Sequence, residues 1–260
     1  MSQPNDLPPF NLFASLNYTA SPVAEWIPGQ PVDSTSEGKA WLDGEKEGWK
    51  LVDTSVENTR SVYSLMISGI VPRPIAFVSS LSEDGTANLA PFSWFNMLSA
   101  NPPLVSVSCM HATNRVKDTA LNIQSSKQFT VSIISEAFVQ NANYCSIDAP
   151  SNVSEWSLSG LTPAPSHHVK PARVKESAFS MECELYQSLD LKHPESGLTT
   201  TTIILGHVKY IHVRKDVLNE NGTVDPALLK PVSRLGDTSY ARLGDGFRLP
   251  RPLWNESANA

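Results

Sequence analysis

Apolar and polar residues alternate along several stretches of the chain, and each such stretch predicts a β-strand. The segment that begins at Ile75 is different, because apolar side chains occupy both of its faces, as in a strand buried on both sides. Asp84 and Gly85 follow it and predict a tight hairpin turn, since glycine reaches positive φ at low cost. Further strands are expected in the runs LVSVSCM, QFTVSIIS, AFSMECELYQSLDL and TTTIILGHVKYIHVRKDVL.

Helical spacing of apolar residues is confined to short segments. The run TSVENTRSVYSLMISG predicts a helix that begins at a capping Thr54 or Ser55 and ends at Gly69. Two more short helices are expected in KDTALNIQSS and SEAFVQNANYCS. Many alternating strands with few helices favour a mainly β fold, in the form of a closed or partly open barrel, over an array of βαβ units.

The first 53 residues have no core-forming pattern and are rich in Pro, Gly, Ser and Asp. Large aromatic residues are scattered through them: Phe10, Phe13, Tyr18, Trp26, Trp41 and Trp49. We interpret residues 1–53 as an extended arm whose rings pack on the main body or on a second subunit. Residues 54–260 are then the main domain.

Composition and charge narrow the class of protein. The chain has 260 residues, of which 40% are hydrophobic and 18% charged, so a sizeable core can form. The net charge of −6 argues against nucleic acid or an anionic membrane as a partner, because both require a basic face. No apolar run approaches the roughly 18 residues of a membrane span. The N-terminus has no basic region followed by an apolar run, so we expect no signal peptide and a cytoplasmic protein.

Cysteine and histidine spacing does not favour a metal site. The three cysteines lie far apart without a CxxC pair, which predicts free, buried thiols. His167 and His168 are adjacent, and neighbours in an extended segment point to opposite sides. His207 and His212 fall in a predicted strand, where we expect structural roles.

Two segments could carry chemistry. Small polar and aromatic residues follow the hairpin in APFSWFN, and they either bond their own turn or line a pocket for a flat ligand with polar edges. Arg115 and Lys117 stand before Asp118 and Thr119, where a helix is predicted to begin. Cations at a helix N-terminus favour a phosphate, although these residues could also be a plain cap with solvated charges. The two segments together suggest a phosphorylated aromatic cofactor, and no G-x-G-x-x-G or Walker motif supports a usual nucleotide fold.

The run VPRPIAFVSS…DGTANLAPFSWFN…NPPLVSVS…RVKDTALNI resembles the flavin reductase-like family of FMN-binding split barrels. The pieces SGLTPAPS, VKESAFSMECEL and SRLGDTSYARLG follow in that family's usual order, so the resemblance extends from about Val56 to Arg251. It implies a homodimeric Greek-key split β-barrel with a few peripheral helices. FMN is then held non-covalently near the subunit interface.

The resemblance also implies roles for individual residues. Those expected around the isoalloxazine ring and ribityl chain are Ser79, Ser80, Ser93, Trp94, Phe95 and Asn96. Arg73 is expected to approach the same site, and His111 is close enough in sequence to face the ring. Those expected at the phosphate are Arg115, Lys117, Asp118 and Thr119.

The implied activity is an FMN-dependent oxidoreductase in which NADH or NADPH reduces the flavin. Electrons then pass to a small acceptor: free flavin, oxygen, a ferric complex or an organic molecule. Hydride transfer requires no acid–base residue, so none is named as catalytic. A flavin-binding electron carrier or storage module remains an alternative, as does a barrel that binds haem or a pyridoxal phosphate. Residues 146–169 form either a substrate-side loop or a surface connection.

Overall fold

The computed structural model describes residues 7–112 and 115–254, and these are mainly β, as the sequence predicts. The strands are β1 (Tyr18–Thr19), β2 (Ala76–Leu81), β3 (Ala87–Phe92), β4 (Phe95–Ala100), β5 (Pro103–Met110), β6 (Gln128–Ile133), β7 (Pro163–Ala164), β8 (Arg173–Val174), β9 (Phe179–Lys192), β10 (Thr199–Val213), β11 (Val232–Arg234), β12 (Tyr240–Arg242) and β13 (Gly246–Phe247). The α-helices are α1 (Ser36–Asp43), α2 (Thr59–Gly69), α3 (Asp118–Ser126), α4 (Val139–Tyr144), α5 (Glu155–Ser159) and α6 (Pro226–Leu229). Short 3₁₀ turns occupy Val32–Ser34, Gly44–Glu47, Glu136–Phe138 and Lys215–Val217. No helix in the described ranges is both long and apolar enough to cross a membrane.

The residues group into two compact units. One runs from Met66 to Leu243 and contains the large sheet. The other combines the chain before Met66 with the segment after Leu243, and in it β1 pairs in parallel with β13. The six arm aromatics are each at least 55% exposed. The surface on which these rings pack, and the division at residue 53, stay predictions.

A seven-stranded antiparallel sheet forms the larger unit, in the order β3-β2-β6-β9-β10-β5-β4. The predicted hairpin joins β2 to β3, with Gly85 at a φ of +87°. Strands β3 and β4 lie at the two edges, and within the described residues no ladder joins them. The sheet of the described chain is therefore not closed into a barrel.

Strand β2 lies at the centre of the packing, as its two apolar faces predict. Ala76 and Val78 belong to one buried cluster, in which Phe129 is a fully buried member. Phe77 belongs to a second cluster, which also includes Trp156. Burial of both faces explains why this strand does not alternate between apolar and polar residues.

All three cysteines are buried and free, as predicted. Burial raises the pKa of Cys109 to about 12. It likewise raises the pKa of Cys145 to about 12, with a smaller contribution from the nearby Glu155 carboxylate. Both thiols therefore stay protonated and unreactive at neutral pH.

The start of α2 corrects a sequence prediction. The helix begins at Thr59, not at Thr54 or Ser55, and it ends at Gly69 as predicted. The Asn58 side chain accepts the Arg60 N–H at 2.8 Å and satisfies a donor of the first turn. Asp53 accepts the backbone N–H of Ser55 at 2.9 Å, so a local turn precedes the helix.

The predicted orientation of His167 and His168 is wrong. Both rings face Tyr210, with centroid separations of 4.7 and 5.5 Å. The backbone is not extended here, because the successive N–H groups of His167 and His168 both point to the buried Glu182 carboxylate and donate to it, each at 2.6 Å. His212, in β10, lies 2.5 Å from the same carboxylate and so has the structural role expected of it.

Gly206 in β10 leaves room for a core ring, and this yields a first prediction. A Cβ atom there would lie 2.3 Å from Cζ of the fully buried Phe129. We expect Gly206→Ala to lower the free energy of unfolding by about 1–3 kcal/mol, because a well-packed core does not accept an added methyl group. Urea denaturation measures the loss. Gly44→Ala is the control, since nothing lies within 4 Å of its Cβ position, and equal losses in both variants would refute this account.

Candidate functional site

A cavity of about 90 Å³ lies where the hairpin meets the start of α3. Its lining comes from Asn88, 90–92, Arg115, 117–119, 145–149 and Glu155. Sites that enclose a whole cofactor or drug-sized ligand measure roughly 300–1,000 Å³. This cavity is therefore large enough for an anionic group or a few waters, but not for a complete cofactor.

The start of α3 brings four sequence-predicted residues together on this cavity: Arg115, Lys117, Asp118 and Thr119. Lys117 is the N-cap, with extended backbone, and the helix proper begins at Asp118. The first-turn N–H groups of a helix have no partner within it and carry positive potential. Cations and backbone donors thus converge at one point.

Both cations share one carboxylate. Arg115 Nη1 lies 3.3 Å from Asp148 Oδ1, and Lys117 Nζ lies 3.7 Å from the same atom. Arg115 Nη2 also contacts Asp118 Oδ2 at 2.7 Å and donates to the carbonyl of Ala149 at 2.8 Å. The 145–149 segment is therefore tied to the start of α3 through Arg115.

Buried polar side chains join the hairpin to α3. Asn88 donates to the hydroxyl of Thr119 at 2.8 Å, and Asn122 donates to the hydroxyl of Ser80 at 3.2 Å. Each buried donor is thus paired, as the cost of burying polar groups requires. These bonds hold the helix start against the strand that forms the opposite wall of the cavity.

His111 links the start of α3 to β10. Its Nδ1 accepts the backbone N–H of Lys117 at 3.1 Å, and its Nε2 lies 2.9 Å from the hydroxyl of Thr202. Thr202 donates to Asp190 at 2.7 Å, so Nε2 must carry the proton and donate to Thr202. Burial lowers the pKa of His111, with Asp190 acting in the opposite direction and Lys117 in the same one. Neutral His111 positions the backbone of Lys117.

Glu155 and the 145–149 segment line the cavity although no local motif marks them. Glu155 is buried, and its carboxylate accepts the N–H of Leu89 at 3.0 Å. Burial raises the pKa of Glu155, while the bond from Leu89 opposes that shift. The start of the 146–169 segment thus belongs to the site, and Trp156 further along it is buried in the core.

The four predicted site residues after the hairpin, 93–96, follow the cavity-lining residues 90–92 directly in the chain. Ser93 follows residues 90–92, and Trp94 is 37% exposed. Phe95 packs partly into the core beside Val107, whereas Asn96 is exposed and bonds the N–H of Met97. These four residues adjoin the cavity in sequence and do not line it.

Arg73, Ser79 and Ser80 lie outside the cavity lining. The buried guanidinium of Arg73 donates to the carbonyls of Ile67 at 2.5 Å and Leu235 at 2.8 Å. Its Nε lies 3.4 Å from the hydroxyl of Ser93, so it contacts the post-hairpin turn. Ser79 and Ser80 are buried within β2, and the Ser80 hydroxyl accepts a hydrogen bond from Asn122 of α3. Their roles toward a ligand stay predictions.

Comparison with known proteins identifies the fold. The protein YwrF of Bacillus subtilis is 35% identical over 196 residues, which cover 75% of this chain and 95% of YwrF. Nitrilotriacetate monooxygenase component B from Bacillus cereus superposes with a TM-score of 0.75 at 35% identity, covering 78% of this chain and 99% of that one. The 2-nitrobenzoate 2-nitroreductase NbaA of Pseudomonas fluorescens superposes with a TM-score of 0.70 at 29% identity, covering 80% and 100% of the two chains.

The sequence model of the family named flavin reductase like domain matches residues 68–231 of this chain. This match covers more than half of the chain and includes the cavity and the whole seven-stranded sheet. A protein with a split-barrel domain from Shewanella frigidimarina shares the fold, with a TM-score of 0.66 at 21% identity. The chain belongs to the flavin reductase like domain family.

Proposed function

We propose that this protein is an FMN-binding oxidoreductase that uses NADH or NADPH to reduce flavin and passes the electrons to a small acceptor. The observation that carries the proposal is the shared cavity between the hairpin strand and the cationic start of α3. Family membership supports a flavin as the ligand. The names of the two solved relatives, a monooxygenase component and a nitroreductase, support redox chemistry.

The cavity suits the phosphate group of FMN. Arg115 and Lys117 supply charge-assisted donors, and the first-turn N–H groups of α3 add backbone donors. Thr119 adds a hydroxyl, and Asp118 holds the Arg115 guanidinium from the helix side. The volume of about 90 Å³ fits a phosphate alone, so the rest of the cofactor lies beyond the cavity.

The isoalloxazine ring then lies against Ser93 and Trp94, which connect β3 to β4, and against Phe95 and Asn96 at the start of β4. Trp94 and Asn96 are exposed and offer an apolar face and a polar edge. Edge strand β4 also exposes Met97 and Leu98, and an exposed apolar edge favours a second subunit. We therefore propose a homodimer of split-barrel subunits, in which the second subunit helps to enclose the isoalloxazine ring.

FMN supplies the redox chemistry when it is bound, and the chain supplies binding and orientation. Arg115 and Lys117 fix the phosphate end, and His111 holds the backbone of Lys117 in place. His111 is neutral and turned away from donating a proton into the cavity, because both of its nitrogens are engaged. No proton-transfer residue is assigned.

Anaerobic reduction tests this function. We expect the purified protein to bind one FMN per chain, and NADH or NADPH to bleach its visible flavin band in the absence of oxygen. Dithionite serves as the control, since it reduces flavin without a nicotinamide site. A flavin band that dithionite bleaches and neither nicotinamide does would indicate an electron carrier. A Soret band would indicate haem and overturn the proposal.

A further inference from the structure

The charges around the cavity do not by themselves favour a dianion. Two cations, Arg115 and Lys117, face three carboxylates, Asp118, Asp148 and Glu155. Glu155 is buried and its carboxylate accepts the N–H of Leu89 at 3.0 Å, so the fold holds it in place. Asp118 lies 2.7 Å from Arg115 Nη2 and its side chain is only 25% exposed, so it is held more firmly than Asp148. Asp148 is the carboxylate that remains.

Asp148 holds the donors that a phosphate needs. Its Oδ1 atom is the common partner of Arg115 Nη1, at 3.3 Å, and of Lys117 Nζ, at 3.7 Å. A phosphate bound by both cations would bring its own negative charge to within a few ångströms of this carboxylate. Repulsion between like charges at about 4 Å is substantial near a protein surface. Asp148 and the phosphate therefore compete for the same two cations.

The Asp148 carboxylate can also move away from the two cations at a small cost in free energy. Its side chain is 69% exposed, so the carboxylate is already largely hydrated. Exposed ion pairs contribute little to stability, typically below about 1 kcal/mol. The residue lies outside helices and strands, two residues after a turn, so a change of its rotamer breaks no ladder. Ala149, the next residue, keeps the segment tied to Arg115 through its carbonyl.

We propose that Asp148 is an affinity-determining residue, an internal carboxylate that occupies the cations of the phosphate site and is displaced when FMN binds. This inference rests on the proposed function. It makes FMN an exchangeable ligand, because the chain itself supplies a replacement anion whenever the phosphate leaves. Removal of the carboxylate then strengthens binding of a phosphorylated flavin and leaves a non-phosphorylated one unaffected.

The test is flavin titration of Asp148→Asn protein, followed by quenching of flavin fluorescence. We expect FMN to bind about fivefold more tightly than to the wild type, which corresponds to the upper end of the free energy that an exposed ion pair contributes. Riboflavin, which has no phosphate, is expected to change by less than about twofold. Asp148→Ser is a second variant and should behave alike. Asp216→Asn is the matched control, since Asp216 also pairs with an arginine, Arg214, at 2.6 Å, is 62% exposed and lies outside the cavity lining.

Two results would overturn the inference. If FMN binds Asp148→Asn with unchanged or weaker affinity, the carboxylate orients the cations and does not compete with the phosphate. If FMN and riboflavin both gain affinity equally, the effect does not involve the phosphate. A wild-type protein that binds neither flavin would overturn the proposed function itself, and this inference with it.

Discussion

Arg115→Ala/Lys117→Ala protein is expected to purify folded and without flavin. Both cations line the cavity at the start of α3, and charge-assisted bonds contribute about 1.5–3 kcal/mol each. Loss of both corresponds to about a hundredfold to ten-thousandfold weaker FMN binding. In the ligand-free protein both cations pair with Asp148, and FMN must break these pairs when it binds. The net loss of affinity should therefore lie nearer to a hundredfold than to ten-thousandfold. The FMN-to-protein ratio and the FMN dissociation constant measure the effect.

The control for this variant removes the same charge elsewhere. Arg214→Ala/Lys215→Ala also loses two adjacent cations, from the exposed start of a 3₁₀ turn after β10. It should retain FMN fully. Thermal unfolding of the cavity variant should remain near that of the wild type, since exposed ion pairs add little stability. Stoichiometric FMN in the cavity variant would show that the phosphate is bound elsewhere.

The largest expected loss of stability comes from Glu182→Ala. The Glu182 side chain is completely buried and accepts the N–H groups of His167, His168 and Val169, the last at 3.0 Å. His212 completes the set from β10. Removal of the carboxylate leaves three backbone donors, of which that of Val169 is buried, and an imidazole without their acceptor. We expect the free energy of unfolding to fall by about 3–5 kcal/mol, measured by urea denaturation.

Glu184→Ala is the matched control, two residues along the same strand. Its side chain is 39% exposed and pairs with His168 and Lys209. We expect a loss of about 1 kcal/mol or less, because exposed pairs are screened by solvent. Equal losses in the two variants would mean that Glu182 does not anchor the 167–169 segment.

The contribution of Glu182 should depend on pH in a defined direction. Burial raises the pKa of its carboxyl, but the bonds from His167, His212, Val169 and His168 outweigh burial and lower the pKa from 4.5 to about 2. A lowered pKa in the folded state means that the stabilisation is complete above pH 4.5 and is lost as the pH falls toward 2. The stability difference between wild type and Glu182→Ala should therefore shrink when unfolding is measured at pH 3 rather than pH 6 (roughly, on either side of the ordinary carboxyl pKa).

Some sequence predictions failed where a distant side chain changed the local backbone. His167 and His168 were expected to point apart, as in any extended segment, yet both face Tyr210. The cause is Glu182, a residue on another strand whose carboxylate gathers the backbone donors of this loop. The predicted start of α2 failed for a local reason: residues 54–57 have helical spacing but form a turn, because Asn58 provides the better cap.

The amino-acid sequence by itself determined the local features and the family. The two apolar faces of β2, the turn at Gly85 and the cationic start of α3 depend on the preferences of neighbouring residues, so they could be read from the order of residues alone. Only the tertiary structure decided which residues meet at the cavity. Asp148 and Glu155 have no motif of their own, and they reach Arg115 and Leu89 through contacts between segments far apart in the chain. Local patterns do not encode such long-range contacts, because these depend on how whole strands and helices pack.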